Sequence, residues 1–158
     1  MARWGRADFR QFRRLQQNID RLSQRTNMDA FCRKCCKELA GRLLALVIPA
    51  TPVGKYPKGS GKTGGTLRRG WGAESATAAK AYANSLAIQK VGMTYVVEIT
   101  NPVYYASYVE HGHVTRNGGW WEGRHMLEIS ETKLKQVAPR VLERLLTEYM
   151  KEAFDVGN

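Results

Sequence analysis

Residues 85–100 read SLAIQKVGMTYVVEIT, and this stretch decides the class of fold. Two runs rich in β-branched and aromatic residues, 85–91 and 94–100, are separated only by Gly92 and Met93. Runs of this composition across a two-residue connection predict an antiparallel β-hairpin. Apolar residues at steps of three and four, the spacing of helices, precede and follow this region. A strand pair among helices predicts an α+β fold.

Three segments have the periodicity of helices. Residues 8–24 predict an amphipathic helix with an arginine-rich polar side, and a more apolar helix follows it and ends at Pro49. The C-terminal segment is also helical, and Pro139 is expected to kink it or split it in two. The alanine-rich residues 71–85 are ambiguous between strand and short helix, and we favour a strand. We therefore expect a small antiparallel sheet packed against two N-terminal helices and a long C-terminal helix.

The length of 158 residues suits one domain, and we expect a single α+β domain over residues 1–158. Glycine and proline interrupt the periodicity at residues 51–70, which predicts a long exposed loop, and glycines predict a second loop at 111–123. No apolar run approaches the ~20 residues that span a bilayer, and the N-terminus lacks the apolar core of a secretory signal. We expect synthesis in the cytoplasm and no membrane partner.

The positive charge lies in the first half of the chain. The chain has 25 Lys+Arg and 14 Asp+Glu, a net charge of +11. Residues 1–70 hold 16 of the basic residues and 4 of the acidic ones, and residues 71–158 hold the other 9 and 10. The asymmetry predicts contact with nucleic acid or an acidic protein surface through Arg10, Arg13 and Arg14. A solvated basic helix face explains the same charges equally well.

The window 101–126, NPVYYASYVEHGHVTRNGGWWEGRHM, contains side chains that suit metal or acid–base chemistry. Glu110, His111, His113 and His125 supply the carboxylate and imidazole groups that a catalytic zinc site uses. The HExxH spacing of zinc proteases is absent from the sequence. Tyrosine and tryptophan, which fill the same window, are enriched at protein interfaces. Interface use is therefore favoured over a hydrolase, and no catalytic residue, metal or cofactor is assigned.

Two shorter motifs also fail as chemical sites. The GKT tripeptide at residues 61–63 ends a phosphate-binding loop, but the required glycine five residues before it is Tyr56. The three cysteines lie in CRKCC at residues 32–36, and a structural zinc site needs two more ligands, which no nearby Cys or His pair supplies. Their spacing on an apolar helix face favours small core residues with reduced thiols.

Three blocks of short motifs, taken in their order along the chain, resemble the tail-completion, or head-to-tail neck, proteins of long-tailed phages and prophages. This is the family typified by gene product ten of a lambdoid phage. The matching residues are Thr51-Pro52-Val53, Thr63-Gly64, Leu67-Arg68-Arg69, Trp71, Tyr105-Ala106, Tyr108-Val109-Glu110, Gly112-His113, Gly123-Arg124 and Met126-Leu127. The resemblance covers nearly the whole chain. One departure is the extra GKYPKGSGK between TPV and TGG, which enlarges the first loop.

The resemblance implies a structural protein of the virion neck, without catalytic residues or cofactors, that completes the tail and joins it to the DNA-filled head. It implies connector or stopper and tail-terminator proteins as partners, and it is compatible with a homo-oligomeric ring and weak non-specific DNA contact. The location would be the head–tail junction of a virion made in the bacterial host cytoplasm. Two alternatives stay open: a basic nucleic-acid-binding protein, and a metal-dependent hydrolase that uses the His/Glu cluster.

We predict an interface formed by both glycine-rich loops. Its residues are Trp120, Trp121, Arg116, Lys58 and Lys62. Glycines flank the two tryptophans, and adjacent rings cannot both enter one core, so at least one ring should be exposed. Tyr105, Tyr108 and Val109 lie at helical steps and are expected to pack inward beside the hairpin.

Overall fold

The computed structural model describes Gln17 and residues 28–155 of the chain. In this part the helices are α1 (Met28–Ala50), α2 (Thr66–Arg69), α3 (Ala76–Ser85), α4 (Ala106–His111) and α5 (Met126–Asp155). Strands β1 (Ile88–Val91) and β2 (Thr94–Val97) form one antiparallel pair, and β3 (Gly112–Val114) and β4 (Trp120–Glu122) form a second. The predicted α+β class is confirmed. The helix predicted at residues 8–24 lies outside the described residues, apart from Gln17.

Helix α1 is the centre of the structure and contacts α2, α3, α5 and β2. Its contact with α3 is close because both helices carry small residues there. A Cβ added at Gly41 would lie 3.4 Å from the Lys80 Cα, and Ala79 and Ala83 of α3 are fully buried. The main core extends from α1 and consists of these buried residues: Ala40, Leu44, Val47, Ile48, Leu67, Trp71, Ala73, Ala79, Ala83 and Met126.

The β1–β2 hairpin is held against the first turns of α1 by polar contacts. Arg33 donates to the Ile88 carbonyl at 2.7 Å, and the Tyr95 hydroxyl donates to Asp29 at 2.8 Å. The Lys90 ammonium lies 3.4 Å from the same Asp29 carboxylate. The hydrogen bond from Arg33 is the largest of the contributions that lower the pKa of Asp29 to about 2. The predicted hairpin is confirmed, with Val91 opposite Thr94 across its two-residue turn.

The C-terminal end of α1 is closed by side chains from the next segment. The buried Thr51 hydroxyl donates to the Val47 carbonyl at 2.7 Å and accepts from the Trp71 indole N–H at 2.8 Å. The Arg68 guanidinium donates through Nη2 to the Thr51 carbonyl at 2.8 Å and to the Pro49 carbonyl at 3.4 Å. A cation here satisfies carbonyls that the helix leaves unpaired and faces the negative end of the helix dipole. Thr51, Arg68 and Trp71, which belong to the Thr-Pro, Leu-Arg and Trp motifs, therefore stabilise the C-terminal end of α1.

Helix α5 covers the other end of α1 and forms a second, smaller cluster. Cys35 of α1 packs with Val141 and Leu145 of α5, and the rings of Phe31 and Tyr149 stack with their centroids 4.5 Å apart. Helix α5 is continuous from Met126 to Asp155 with a proline at position 139, so the alternative of two separate helices is wrong. No helix in the described part of the chain is long and apolar enough to cross a bilayer.

Three local predictions are corrected. Residues 71–85 contain helix α3 rather than a strand, because alanine is the strongest helix former and the Ser75 hydroxyl caps the helix by accepting from the Ala78 N–H at 3.2 Å. The loop predicted at residues 51–70 ends in the short helix α2. The loop predicted at 111–123 contains the β3–β4 hairpin, since short strands can pair around a glycine-bearing turn.

Candidate docking surface

The Glu110 carboxylate caps helix α5. Glu110 is 7% exposed, and its two oxygens accept hydrogen bonds from the Leu127 N–H at 2.9 and 3.2 Å and from the Glu128 N–H at 3.0 Å. The first N–H groups of a helix have no partner within the helix, and the helix dipole favours a negative charge beside them. A side chain 17 residues upstream thus fixes the start of the longest helix to the end of α4.

Backbone contacts hold the base of the β3–β4 hairpin next to this cap. The Arg124 N–H donates to the Val109 carbonyl at 2.7 Å, and the His125 N–H donates to the Glu110 carbonyl at 3.0 Å. A Cβ at Gly123 would overlap the Glu110 carbonyl oxygen, so only glycine fits there. The end of the hairpin that leads into α5 is consequently fixed beside the end of α4, from which the hairpin starts.

The hairpin itself is short and its register is defined. Gly112 lies opposite Glu122, His113 opposite Trp121, and Val114 opposite Trp120. Its turn is closed by the Thr115 N–H, which donates to the Gly119 carbonyl at 2.7 Å. Directly opposed residues in an antiparallel pair share one face, and successive residues alternate between faces. Trp120 with Val114 therefore occupies one face, and Trp121 with His113 occupies the other.

Both tryptophan side chains are exposed to solvent. Trp120 is 60% exposed and Trp121 is 58% exposed. The indole N–H of Trp120 donates to the Glu122 carboxylate at 3.1 Å, and the ring of His113 lies 5.8 Å from the ring of Tyr108. The prediction that at least one ring is exposed is confirmed, and the alternating faces of the strand explain why both are. We call four exposed residues the aromatic patch: Val114 and Trp120 on one face of the hairpin, and Trp121 and Tyr108 on the side of His113.

The predicted inward packing of helix α4 is confirmed only in part. Tyr105 and Val109 pack against the main core as expected, but Tyr108 is 54% exposed, so its predicted inward position is wrong. A six-residue helix buries one side, and the capping residue Glu110 and Ala106 occupy that side together with Val109. Tyr108 is left on the opposite side, toward β3.

The four side chains of the suggested metal or acid–base cluster serve separate purposes. Glu110 is occupied by the cap on α5, and the His125 ring lies 2.9 Å from the Glu128 carboxylate in the first turn of that helix. His111 and His113 are exposed on α4 and β3. Within the described residues, no group of three or more His, Cys, Asp or Glu side chains is arranged to hold a metal ion. The geometry therefore gives the hydrolase alternative no support.

The structure also shows the surroundings of the GKT tripeptide and of the three cysteines. Residues 61–63 follow helix α1 and a loop instead of the strand that a phosphate-binding loop requires. Cys35 is buried, as predicted, while Cys32 and Cys36 are half-buried on the same helix. Burial raises the pKa of the Cys35 and Cys36 thiols, which favours their protonated form.

The remaining predicted contact residues are distributed over the surface. Arg116 is exposed in the β3–β4 turn, and Lys58 and Lys62 are exposed in the loop that follows α1. The arginines that were predicted to contact nucleic acid or an acidic surface, Arg10, Arg13 and Arg14, lie outside the described residues.

These features define an α+β protein whose motif residues close helix ends and whose aromatic patch faces solvent. A family model described as "Bacteriophage HK97-gp10, putative tail-component" matches residues 13–112. Because the match spans more than half of the 158 residues, the chain belongs to this HK97-gp10-like family. No curated protein and no solved structure shows a significant match. Membership in a family of phage tail components makes other phage structural proteins the expected partners.

Proposed function

We propose that this protein completes the tail of a long-tailed phage and joins the tail to the DNA-filled head, with the aromatic patch as its docking surface. Its partners would be the connector or stopper and the tail-terminator proteins, and its location would be the head–tail junction of the virion. Membership in the tail-component family supports the general role. The specific role in joining rests on the aromatic patch and on the sequence resemblance to neck proteins.

The observation that carries the proposal is the pair of tryptophans at the end of a fixed hairpin. Trp120 and Trp121 project from opposite faces of a strand whose C-terminal end is held by the backbone contacts of Arg124 and His125. A rigid base lowers the conformational entropy that binding would otherwise cost. Tryptophan is among the residues that most often contribute ~2 kcal/mol or more to a protein interface. Exposed Arg116, in the turn between the strands, belongs to the same proposed contact.

The test replaces both tryptophans with alanine in the phage genome. We expect the Trp120→Ala/Trp121→Ala phage to yield free full heads and free tails in electron micrographs, because the docking contacts are lost. The purified variant should keep the melting temperature of the parent to within a few degrees, since both rings are exposed. Normal joining by this variant, or its failure to fold, contradicts the proposal.

A matched control removes exposed apolar side chains from the other hairpin. Val91 and Met93 are 65% and 94% exposed on and beside β1. The Val91→Ala/Met93→Ala phage should assemble complete particles. If it accumulates separate heads and tails to the same extent, general loss of apolar surface explains the defect, and the aromatic patch has no special role.

A further inference from the structure

The loop between α1 and α2 carries lysines that no carboxylate in the described part of the chain neutralises. Between Glu38 and Glu74 the chain has no acidic residue and six basic ones: Arg42, Lys55, Lys58, Lys62, Arg68 and Arg69. The three arginines have local acceptors, namely Glu38 for Arg42, the end of α1 for Arg68 and the Gly64 carbonyl for Arg69. Within residues 28–155, no carboxylate forms an ion pair with the three lysines.

The lysines project from a loop that is closed at its base. Gly64 packs so tightly on the Gly54 carbonyl that a Cβ at position 64 would overlap it, which brings the two arms of the loop together. At the base of the loop, the Arg68 guanidinium donates a hydrogen bond to the Thr51 carbonyl. Compact loops with adjoining ends are frequently functional. We call residues 54–64 the lysine loop.

The tip of the lysine loop is exposed to solvent. Gly59 and Gly61 adopt positive φ angles of 85° and 67°, and a Cβ at either position would meet no atom within 4 Å. Lys55, Lys58 and Lys62 are exposed, and the Lys62 ammonium lies 5.9 Å from the centroid of the Tyr56 ring. The loop thus presents three exposed positive charges.

We propose that the lysine loop binds the phosphate backbone of duplex DNA without reading its sequence. The composition of the loop favours DNA over an acidic protein, because lysine is depleted from protein interfaces while aromatic residues and arginine are enriched. The aromatic patch has the composition of a protein contact, whereas the lysine loop has that of a phosphate contact. Lys58 and Lys62 are thereby assigned to DNA instead of to the protein interface that the sequence predicted.

The proposal does not rest on the docking role of the aromatic patch, because it concerns binding by the purified chain alone. Each phosphate that a lysine neutralises releases counterions and contributes about 0.9 to the slope of log K against log salt concentration. Three contacting lysines therefore account for a slope of about 2 to 3. The affinity should be the same for duplexes of unrelated sequence.

The experiment measures fluorescence anisotropy of two labelled 30-base-pair duplexes of unrelated sequence, titrated with the full chain at 50 to 200 mM salt. The test variant is Lys55→Gln/Lys58→Gln/Lys62→Gln. The control is Lys133→Gln/Lys135→Gln/Lys151→Gln, which removes the same charge from exposed positions of α5. Both keep the N-terminal arginines. We expect the loop variant to lower the salt slope by about 2 to 3, and the control by less than about 1.

Three results would overturn the proposal. An unchanged slope in the loop variant removes the lysine loop from DNA binding. An equal fall in the control shows that net charge alone is responsible. Tighter binding of labelled poly-glutamate than of DNA, lost in the loop variant, assigns the loop to an acidic protein. Head–tail joining by the loop variant is scored separately, so failure of this proposal is distinguishable from failure of the proposed docking role.

Discussion

Replacing Glu110 with alanine should destabilise the protein because Glu110 caps the longest helix. The change removes a buried carboxylate that accepts from the Leu127 and Glu128 N–H groups. Hydrogen bonds to charged groups contribute about 1.5–3 kcal/mol each, and loss of a helix cap alone costs about 1 kcal/mol. Because the two bonds share one acceptor group, we expect the free energy of unfolding to fall by about 2–4 kcal/mol.

Thermal and urea unfolding followed by circular dichroism measure this loss. For a domain of this size, each kcal/mol lowers the melting temperature by about 2–4 °C, so we expect a decrease of roughly 5–15 °C. Glu110→Gln keeps one acceptor oxygen without the charge and should lose about half as much. Glu143→Ala, an exposed acidic residue on the same helix, should change the stability by no more than about 0.5 kcal/mol.

The result also separates the cap from the hydrolase alternative. A catalytic carboxylate can be removed with little loss of stability, whereas a capping carboxylate cannot. If Glu110→Ala melts within a degree of the parent, the hydrogen bonds to α5 do not have the assigned importance. The capping role of Glu110 is then wrong, and its burial needs another explanation.

Three further outcomes follow from the described contacts. Thr51→Val should lower the free energy of unfolding by about 1–3 kcal/mol, because the buried Trp71 N–H loses its acceptor, and Thr51→Ser should restore most of it in urea titrations. Pro139→Ala should raise the stability of α5 by up to ~3 kcal/mol in the same assay, since proline lacks the helical N–H. The pKa of Asp29 is about 2, against an ordinary 3.8, so its contribution to the free energy of unfolding is present above pH 4 and is lost as the pH falls toward 2. Asp29→Asn should therefore make the free energy of unfolding depend less on pH across this range.

The elements that the sequence predicted correctly are those with local causes. The β1–β2 hairpin follows from two β-rich runs and a two-residue connection, and α1 follows from apolar residues at helical steps. The error at α3 has a local cause as well, because the helix propensity of alanine and the Ser75 cap outweigh the neighbouring strand-like residues. Local signals therefore account for most of the element types in the described residues.

The candidate site depends on contacts that no local pattern contains. The sequence singles out Glu110 for its carboxylate, but its partners are N–H groups 17 and 18 residues further along the chain. Tyr108 was expected to be buried because the spacing allowed it, while the burial of α4 is decided by which neighbours cover it. The exposure of Trp120 and Trp121 was predictable in part, since the glycines around them limited how both rings could pack.

The family match and the β3–β4 hairpin share only their boundary residue. The match ends at Gly112, the first residue of β3, so it contains the closure of α1 and the capping residue Glu110 but not Trp120 and Trp121. Glu110 determines where α5 begins and hence where the hairpin leaves and returns. Gly123 is restricted by its contact with the Glu110 carbonyl, whereas Trp120 and Trp121 are exposed and can change without loss of packing. Under the proposed docking role, a change at either tryptophan alters the contact with the partner and leaves the packing of the scaffold intact.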